Sequence, residues 1–146
     1  MIQLLKKVHL FETLLEPELA KIEKICRPVA VAKDAVIFRE GDAGDRCYII
    51  TGGEVRISKF IPNIGEEALA VLRAGTHFGE MALIDDFPRS ADARAHEACR
   101  LFVVRKEDME DLLFVDRDLA YDLLWSFVRT LSSRLRETND KMTFMA

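Results

Sequence analysis

Glu80 and Arg89 are the two residues whose types and spacing promise chemistry. They stand nine positions apart in the run Phe78-Gly79-Glu80-Met81-Ala82-Leu83-Ile84-Asp85-Asp86-Phe87-Pro88-Arg89-Ser90-Ala91-Asp92-Ala93. Arg89 offers a planar fork of donors that fits a phosphate, and Ser90 adds a hydroxyl beside it. Glu80 is an acceptor-only carboxylate, wrong for a phosphate and right for a sugar hydroxyl. Gly79 permits an unusual backbone angle or a close backbone approach. Gly79 through Leu83 is read as one helical turn, whose unpaired N–H groups favour an anion. A ligand that uses all of these groups carries one phosphate and one sugar. Taken singly, a Gly-Glu and a Pro-Arg describe a surface loop with a Glu80–Arg89 ion pair; the ordered run is what argues for a site.

The order of Gly79, Glu80, Ala82, Leu83, Pro88, Arg89, Ser90 and Ala91 resembles the phosphate-binding cassette of the cyclic nucleotide-binding domain family, here over residues 78–93. The resemblance implies that Glu80 holds the ribose 2′-hydroxyl and that Arg89 holds the cyclic phosphate. It also implies help from the small residues Ser90 and Ala91 and from backbone N–H groups across Gly79, Glu80, Met81 and Ala82. Ile57 and Leu72, on strands where alternate residues face inward, are expected to line the apolar wall beside sugar and base, although plain core packing explains either one equally well. The segment Glu40-Gly41-Asp42-Ala43-Gly44-Asp45 is the family's second recognisable stretch, with a structural task in turns that close a roll.

These groups must be held by a frame, and the pattern around them supplies one. Residues 3–26 read as helix in two pieces, with Leu4, Leu5, Val8 and Phe11, then Leu19, Ile22 and Ile25, at helical spacing. Pro17 suits the first turn of the second piece, where Leu15 or Glu16 stands in place of a capping hydroxyl. From residue 28 to 104 the pattern becomes short strands (Val29–Ala32, Ala35–Phe38, Tyr48–Ile50, Val55–Phe60, Ala68–Leu72, Leu101–Val104) punctuated by glycines. The expected fold is α+β: an antiparallel, jelly-roll-like β-roll flanked by N-terminal helices and a long C-terminal helix. C-terminal helices are expected over 106–142, a short one at Lys106–Leu113 and a long one from Arg117 to Met142. In the long helix Leu124, Val128, Leu131, Leu135, Thr138 and Met142 step by four and three alternately, as a coiled-coil seam does. Residues 1–146 are thus read as a single domain that forms a homodimer through this helix.

The stretch from Leu131 to Asn139 is similar to the central helix of the catabolite-activator branch of the family. There a Thr-Ser pair meets the adenine amino group, one residue from each subunit. Thr138 keeps the Thr; Asn139 replaces the Ser, and Arg134, one turn earlier, is placed to reach the ribose or Glu80. Thr138 favours cAMP as ligand, while Ser90 leaves cGMP open.

Composition bounds the rest. With 146 residues, 49% apolar and 32% charged, the chain has ordinary globular usage. A net charge of −4 argues against a general nucleic-acid surface, and no apolar run is long enough to span a membrane. Three scattered cysteines, Cys26, Cys47 and Cys99, read as reduced thiols of a cytoplasmic protein. His9, His77 and His96 are equally scattered and receive no chemistry. No metal is expected: Glu40, Asp42 and Asp45 lack the spacing of a calcium loop. The expected role is a non-catalytic sensor that passes ligand binding through its last helix to a partner or an effector domain elsewhere. The other readings are a dimerisation module without ligand, a receptor for cyclic di-GMP, and a metal-assisted hydrolase built on Asp85, Asp86, Asp92 and His96.

Overall fold

The computed structural model describes residues 1–145. The chain opens with α1 (Ile2–Lys6), a 3-10 turn (His9–Phe11) and α2 (Glu16–Glu23). Three short segments therefore stand where two helical pieces were expected, because Val8 is extended and breaks the run. Of the residues at helical spacing, Leu5, Val8 and Phe11 are fully buried in one core together with Leu10, and Leu4 is partly buried against it. At the start of α2 the Glu18 carboxylate accepts the Leu15 N–H at 3.1 Å, one half of a capping box whose other half Leu15, with no side-chain acceptor, cannot make.

Eight strands follow: β1 (Arg27–Val31), β2 (Val36–Phe38), β3 (Arg46–Gly52), β4 (Glu54–Ile61), β5 (Gly65–Arg73), β6 (His77–Phe78), β7 (Asp92–Ala95) and β8 (Cys99–Arg105). They form two four-stranded sheets, ordered β1-β8-β3-β6 and β2-β7-β4-β5. Every strand pairing is antiparallel. Pro28 lies in β1, a sheet edge, where its missing N–H costs no ladder bond. The chain ends in α3 (Lys106–Val115) and α4 (Arg117–Met145).

Two cores result, divided by the β1-β8-β3-β6 sheet. On β3, Tyr48 and Ile50 face into the roll with Val55, Phe78, Ala93, Ala95, Leu101 and Val103. Their alternates Cys47 and Ile49 face the helices, beside Phe11, Leu19, Met109, Leu119, Leu123 and Phe127. A strand buried on both faces reads as an unbroken apolar run, which is why Cys47-Tyr48-Ile49-Ile50 shows no alternation. The α4 residues Leu119, Leu123, Ser126 and Phe127 are buried, and the Ser126 hydroxyl donates to the Leu10 carbonyl at 2.6 Å. From residue 131 through residue 143 every side chain of α4 is exposed.

Candidate phosphate and sugar site

The site starts at Gly79. Its φ of +76° caps a 3-10 turn, Glu80–Leu83, that leaves β6. A left-handed residue here costs an L side chain energy that glycine avoids. Space demands glycine as well: a Cβ would lie 2.6 Å from Arg89 Nη1. Ala82 N–H donates to the Gly79 carbonyl at 3.1 Å and so closes the turn. The first-turn donors left without a helical partner are those of Glu80 and Met81.

Arg89 is held from its backbone outward. Its N–H donates to Asp42 O and its carbonyl accepts from Gly41 N–H, both at 2.8 Å, and Pro88 bridges Ala43. The Glu40–Asp45 turns thus clamp the arginine's main chain. A Cβ on Gly44 would come within 2.7 Å of the Phe87 carbonyl, so this turn too needs a bare Cα. Asp42 accepts Arg39 N–H at 2.9 Å and Asp92 accepts Glu40 N–H at 2.7 Å, which ties the acids of the region to local backbone.

The Arg89 guanidinium is half-buried. It lies 4.3 Å from the centroid of the Phe38 ring and 5.9 Å from that of Tyr48. Tyr48 stacks on Phe78 with centroids 4.9 Å apart, so the cation rests on an aromatic floor. Nη2 donates to the Arg46 carbonyl at 2.6 Å. Among the described residues Nε–H is buried without a partner and no carboxylate lies within ion-pair distance of Arg89. Burial pushes its pKa below the usual arginine range, with Tyr48 and Asp45 acting the other way. A half-buried cation without a carboxylate is costly unless something else compensates it. Beside it opens a hollow of about 220 Å³ lined by Phe38, Ile57, Phe78, Gly79, Arg89, Ser90 and Ala91. Leu72 packs against the roll core opposite Val55, two register positions from Ile57 of this lining, and does not itself line it.

Glu80 does not pair with Arg89. Its side chain is 14% exposed, and Oε1 accepts from Arg134 Nη2 of α4 at 3.0 Å. Of the two partners open to Arg134, it takes the carboxylate. Oε2 lies 4.0 Å from His77 Nε2. Thr138 and Asn139 are exposed on α4 and line no part of the hollow; the Thr138 hydroxyl donates to the Arg134 carbonyl of its own helix at 3.0 Å. The structure therefore brings Gly79, Arg89, Ser90, Ala91 and Ile57 to one hollow, and attaches Glu80 to α4.

Several participants escaped sequence reasoning. Arg46 contributes only a carbonyl, which any residue carries. Phe38, Tyr48 and Phe78 read as core aromatics and also carry Arg89. The acids of the hydrolase reading are dispersed in their tasks: Asp85 accepts Phe87 N–H at 3.3 Å, Asp86 pairs with Lys106 at 2.5 Å, and Asp92 holds Glu40. His96 meets Arg56 at 3.0 Å. Cys47 and Cys99 are buried, whereas Cys26 is partly exposed; all three are free. Burial pushes the Cys47 thiol well above its ordinary range and Cys26 up to about 12. Among the described residues no helix is long and apolar enough to cross a membrane.

Comparison with known proteins identifies the family. Residues 28–116 match the family model described as the cyclic nucleotide-binding domain. A CRP-like cAMP-activated global transcriptional regulator of Mycobacterium tuberculosis is 28% identical over 140 residues, which is 96% of this chain and 61% of that protein. The chain thus spans under two thirds of that relative's length. The N-terminal domain of a transcriptional regulator from Streptomyces coelicolor A3(2) superposes with a TM-score of 0.83 at 33% identity, over 95% of this chain and 94% of the other. The regulatory domain of Toxoplasma gondii PKA, solved with cAMP, gives 0.66 at 30% identity over 82% and 46%. The match over residues 28–116 and the shared fold show that this chain belongs to the cyclic nucleotide-binding domain family.

Proposed function

We propose that this chain is the sensor segment of a regulator and that its ligand is a 3′,5′-cyclic mononucleotide, cAMP. The observation that carries the reading is Arg89: a half-buried cation on an aromatic floor, with no carboxylate partner, at the mouth of a hollow. The cyclic phosphate is its missing anion, received by Arg89, Ser90, the Ala91 backbone and the free N–H groups of Glu80 and Met81. The ribose 2′-hydroxyl goes to Glu80, and Ile57 and Leu72 flank the sugar and base. Because Arg134 already holds one oxygen of Glu80, ligand and α4 share one carboxylate, which gives binding a direct route to that helix. Thr138 and Asn139 reach a base only from a closed or dimeric arrangement of α4. The exposed apolar stripe of Leu124, Val128, Leu131, Leu135 and Met142 supports a homodimer along it. Free cysteines fit a cytoplasmic setting. Whatever effector is regulated lies in a partner or in further sequence; the acidic balance of this segment argues against its touching nucleic acid directly. cGMP is the competing ligand, because the Ser90 hydroxyl borders the hollow.

Calorimetric titration with cAMP and cGMP side by side tests this. cAMP should bind the tighter, and at 100 to 1,000 times its Kd should stabilise the fold by about 3–4 kcal/mol. Arg89→Ala should abolish both the heat and the stabilisation. If neither nucleotide gives a heat or moves the melting curve, the sensor reading is wrong; if cGMP binds tighter, the ligand assignment is wrong.

A further inference from the structure

Glu80 is approached from two sides. Arg134 Nη2 takes Oε1 at 3.0 Å, and His77 Nε2 lies 4.0 Å from Oε2. His77 is sheltered, its side chain 15% exposed. The charged groups that face it are Glu80 from the cassette turn, His9 from the N-terminal 3-10 turn and Arg134 from α4. The His9 ring meets it edge-on at 6.0 Å and is itself paired with Glu12 at 3.6 Å. On β3 its register partner is the apolar Ile49. A groove of about 260 Å³, lined in part by His9, Glu12, Ser126, Ser133 and Arg134, runs beside two of these groups, His9 and Arg134.

We propose that His77 is a positioning residue for Glu80, and that its charge sets how well this carboxylate receives the ribose of a nucleotide. The inference rests on the sensor reading above. At 4.0 Å a neutral ring makes no hydrogen bond to Oε2. With Oε1 engaged by Arg134, Oε2 is the oxygen left for a sugar hydroxyl. A protonated ring changes this. It stands between His9 and Arg134, and among the described residues Glu80 is the anion that faces it directly, so the imidazolium draws Oε2 to itself and competes with the ribose. Burial holds the His77 pKa below the usual histidine range, with Glu80 opposing and His9 and Arg134 reinforcing the shift. The ring is therefore neutral near neutrality and charges on acidification.

Calorimetric Kd values for cAMP across about pH 8 to about 5.5 test the proposal in a window above carboxylate titration. The wild-type chain should bind about tenfold more weakly at the acid end, the scale of one hydrogen bond to a charged acceptor. His77→Gln should remove the slope. His77→Lys, charged throughout, should bind weakly at every pH without a slope. His9→Gln, which removes the exposed histidine of the pair, should keep the slope. Glu80→Gln should remove it while phosphate-dependent binding through Arg89 persists. A wild-type affinity that does not change across the window overturns the inference and leaves the sensor reading standing, as does a slope that survives in His77→Gln. Absence of binding at every pH overturns both. The wild-type series needs no variant to fold, and melting curves recorded at each pH separate loss of affinity from loss of fold.

Discussion

Replacing Gly79 by alanine separates two costs that the structure places on one atom. The first is conformational: at φ +76° an L residue costs about 1–2 kcal/mol. The second is steric. The new Cβ would stand 2.6 Å from Arg89 Nη1, against an ordinary contact of about 3.5–4.0 Å, so the guanidinium must withdraw by about 1 Å. Because that atom ends a flexible side chain, the clash does not overpack the core. It pulls Nη2 away from the Arg46 carbonyl, now 2.6 Å distant, and forfeits about 1 kcal/mol. The sum, about 2–3 kcal/mol, should lower the melting point by about 4–12 °C. Urea denaturation of wild type, Gly79→Ala, Arg89→Ala and the double variant forms a cycle. In the Arg89→Ala background the conformational cost and the 3.3 Å approach of the Cβ to the Arg46 carbonyl persist while the clash with the guanidinium vanishes, which gives a coupling of about 1 kcal/mol. Nucleotide affinity should fall in Gly79→Ala, since the displaced guanidinium is the one assigned to the phosphate. A Gly79→Ala cost below about 0.5 kcal/mol would refute the conformational argument, and equal costs in both backgrounds with unchanged affinity would refute the steric one.

Three further outcomes are expected. Ser126→Ala strips the buried hydroxyl that meets the Leu10 carbonyl and should cost about 1–2 kcal/mol in urea denaturation, because that carbonyl loses its side-chain partner away from water. The Asp116 carboxyl accepts from Lys21 and from Leu119 N–H at the start of α4, and both hold it below the usual carboxylate range. Its contribution is therefore full above the unfolded carboxylate pKa and disappears as pH falls through the depressed value; Asp116→Ala should lower the denaturation midpoint at pH 7 and match wild type in strong acid. Leu131→Asp with Leu135→Asp should convert a sedimenting dimer to monomer with the circular-dichroism spectrum of the folded chain retained, both side chains being exposed in the single chain at 44% and 62%.

The cassette was legible because its chemistry resides in side-chain types kept in a short, ordered run. The roll was legible where strands carry branched or aromatic residues. Two strands were not: β6 is only His77–Phe78, and β7 reads Asp92-Ala93-Arg94-Ala95, weak in β propensity. Ala93 and Ala95 are fully buried, so packing inside the roll selects small residues there and overrides propensity. The Arg46 carbonyl left no trace in the sequence, since backbone acceptors do not depend on residue type. His77 was passed over because His9, its ring neighbour, is remote in the chain, and only the fold brings the N-terminal turn against the cassette. The α4 stripe was legible as apolar residues at heptad spacing, and its exposure in the single chain follows from Leu119, Leu123 and Phe127 being the residues spent on the chain's own core.

The Ser126–Leu10 bond roots α4 to the N-terminal turn, and Leu123 and Phe127 are sunk beside it. Beyond that root the helix continues to Met145, an arm of about 27 Å at 1.5 Å per residue. Among the described hydrogen bonds and ion pairs, Arg134 to Glu80 is the one that stays this arm to the roll. Such an arrangement has mechanical leverage: a tilt of about 10° at the pivot sweeps the far tip through about 5 Å, given that length. Were such a tilt set by a single guanidinium–carboxylate stay eight residues from the pivot, its loosening or tightening would be converted into a displacement about as large as a full helical turn at the distant end.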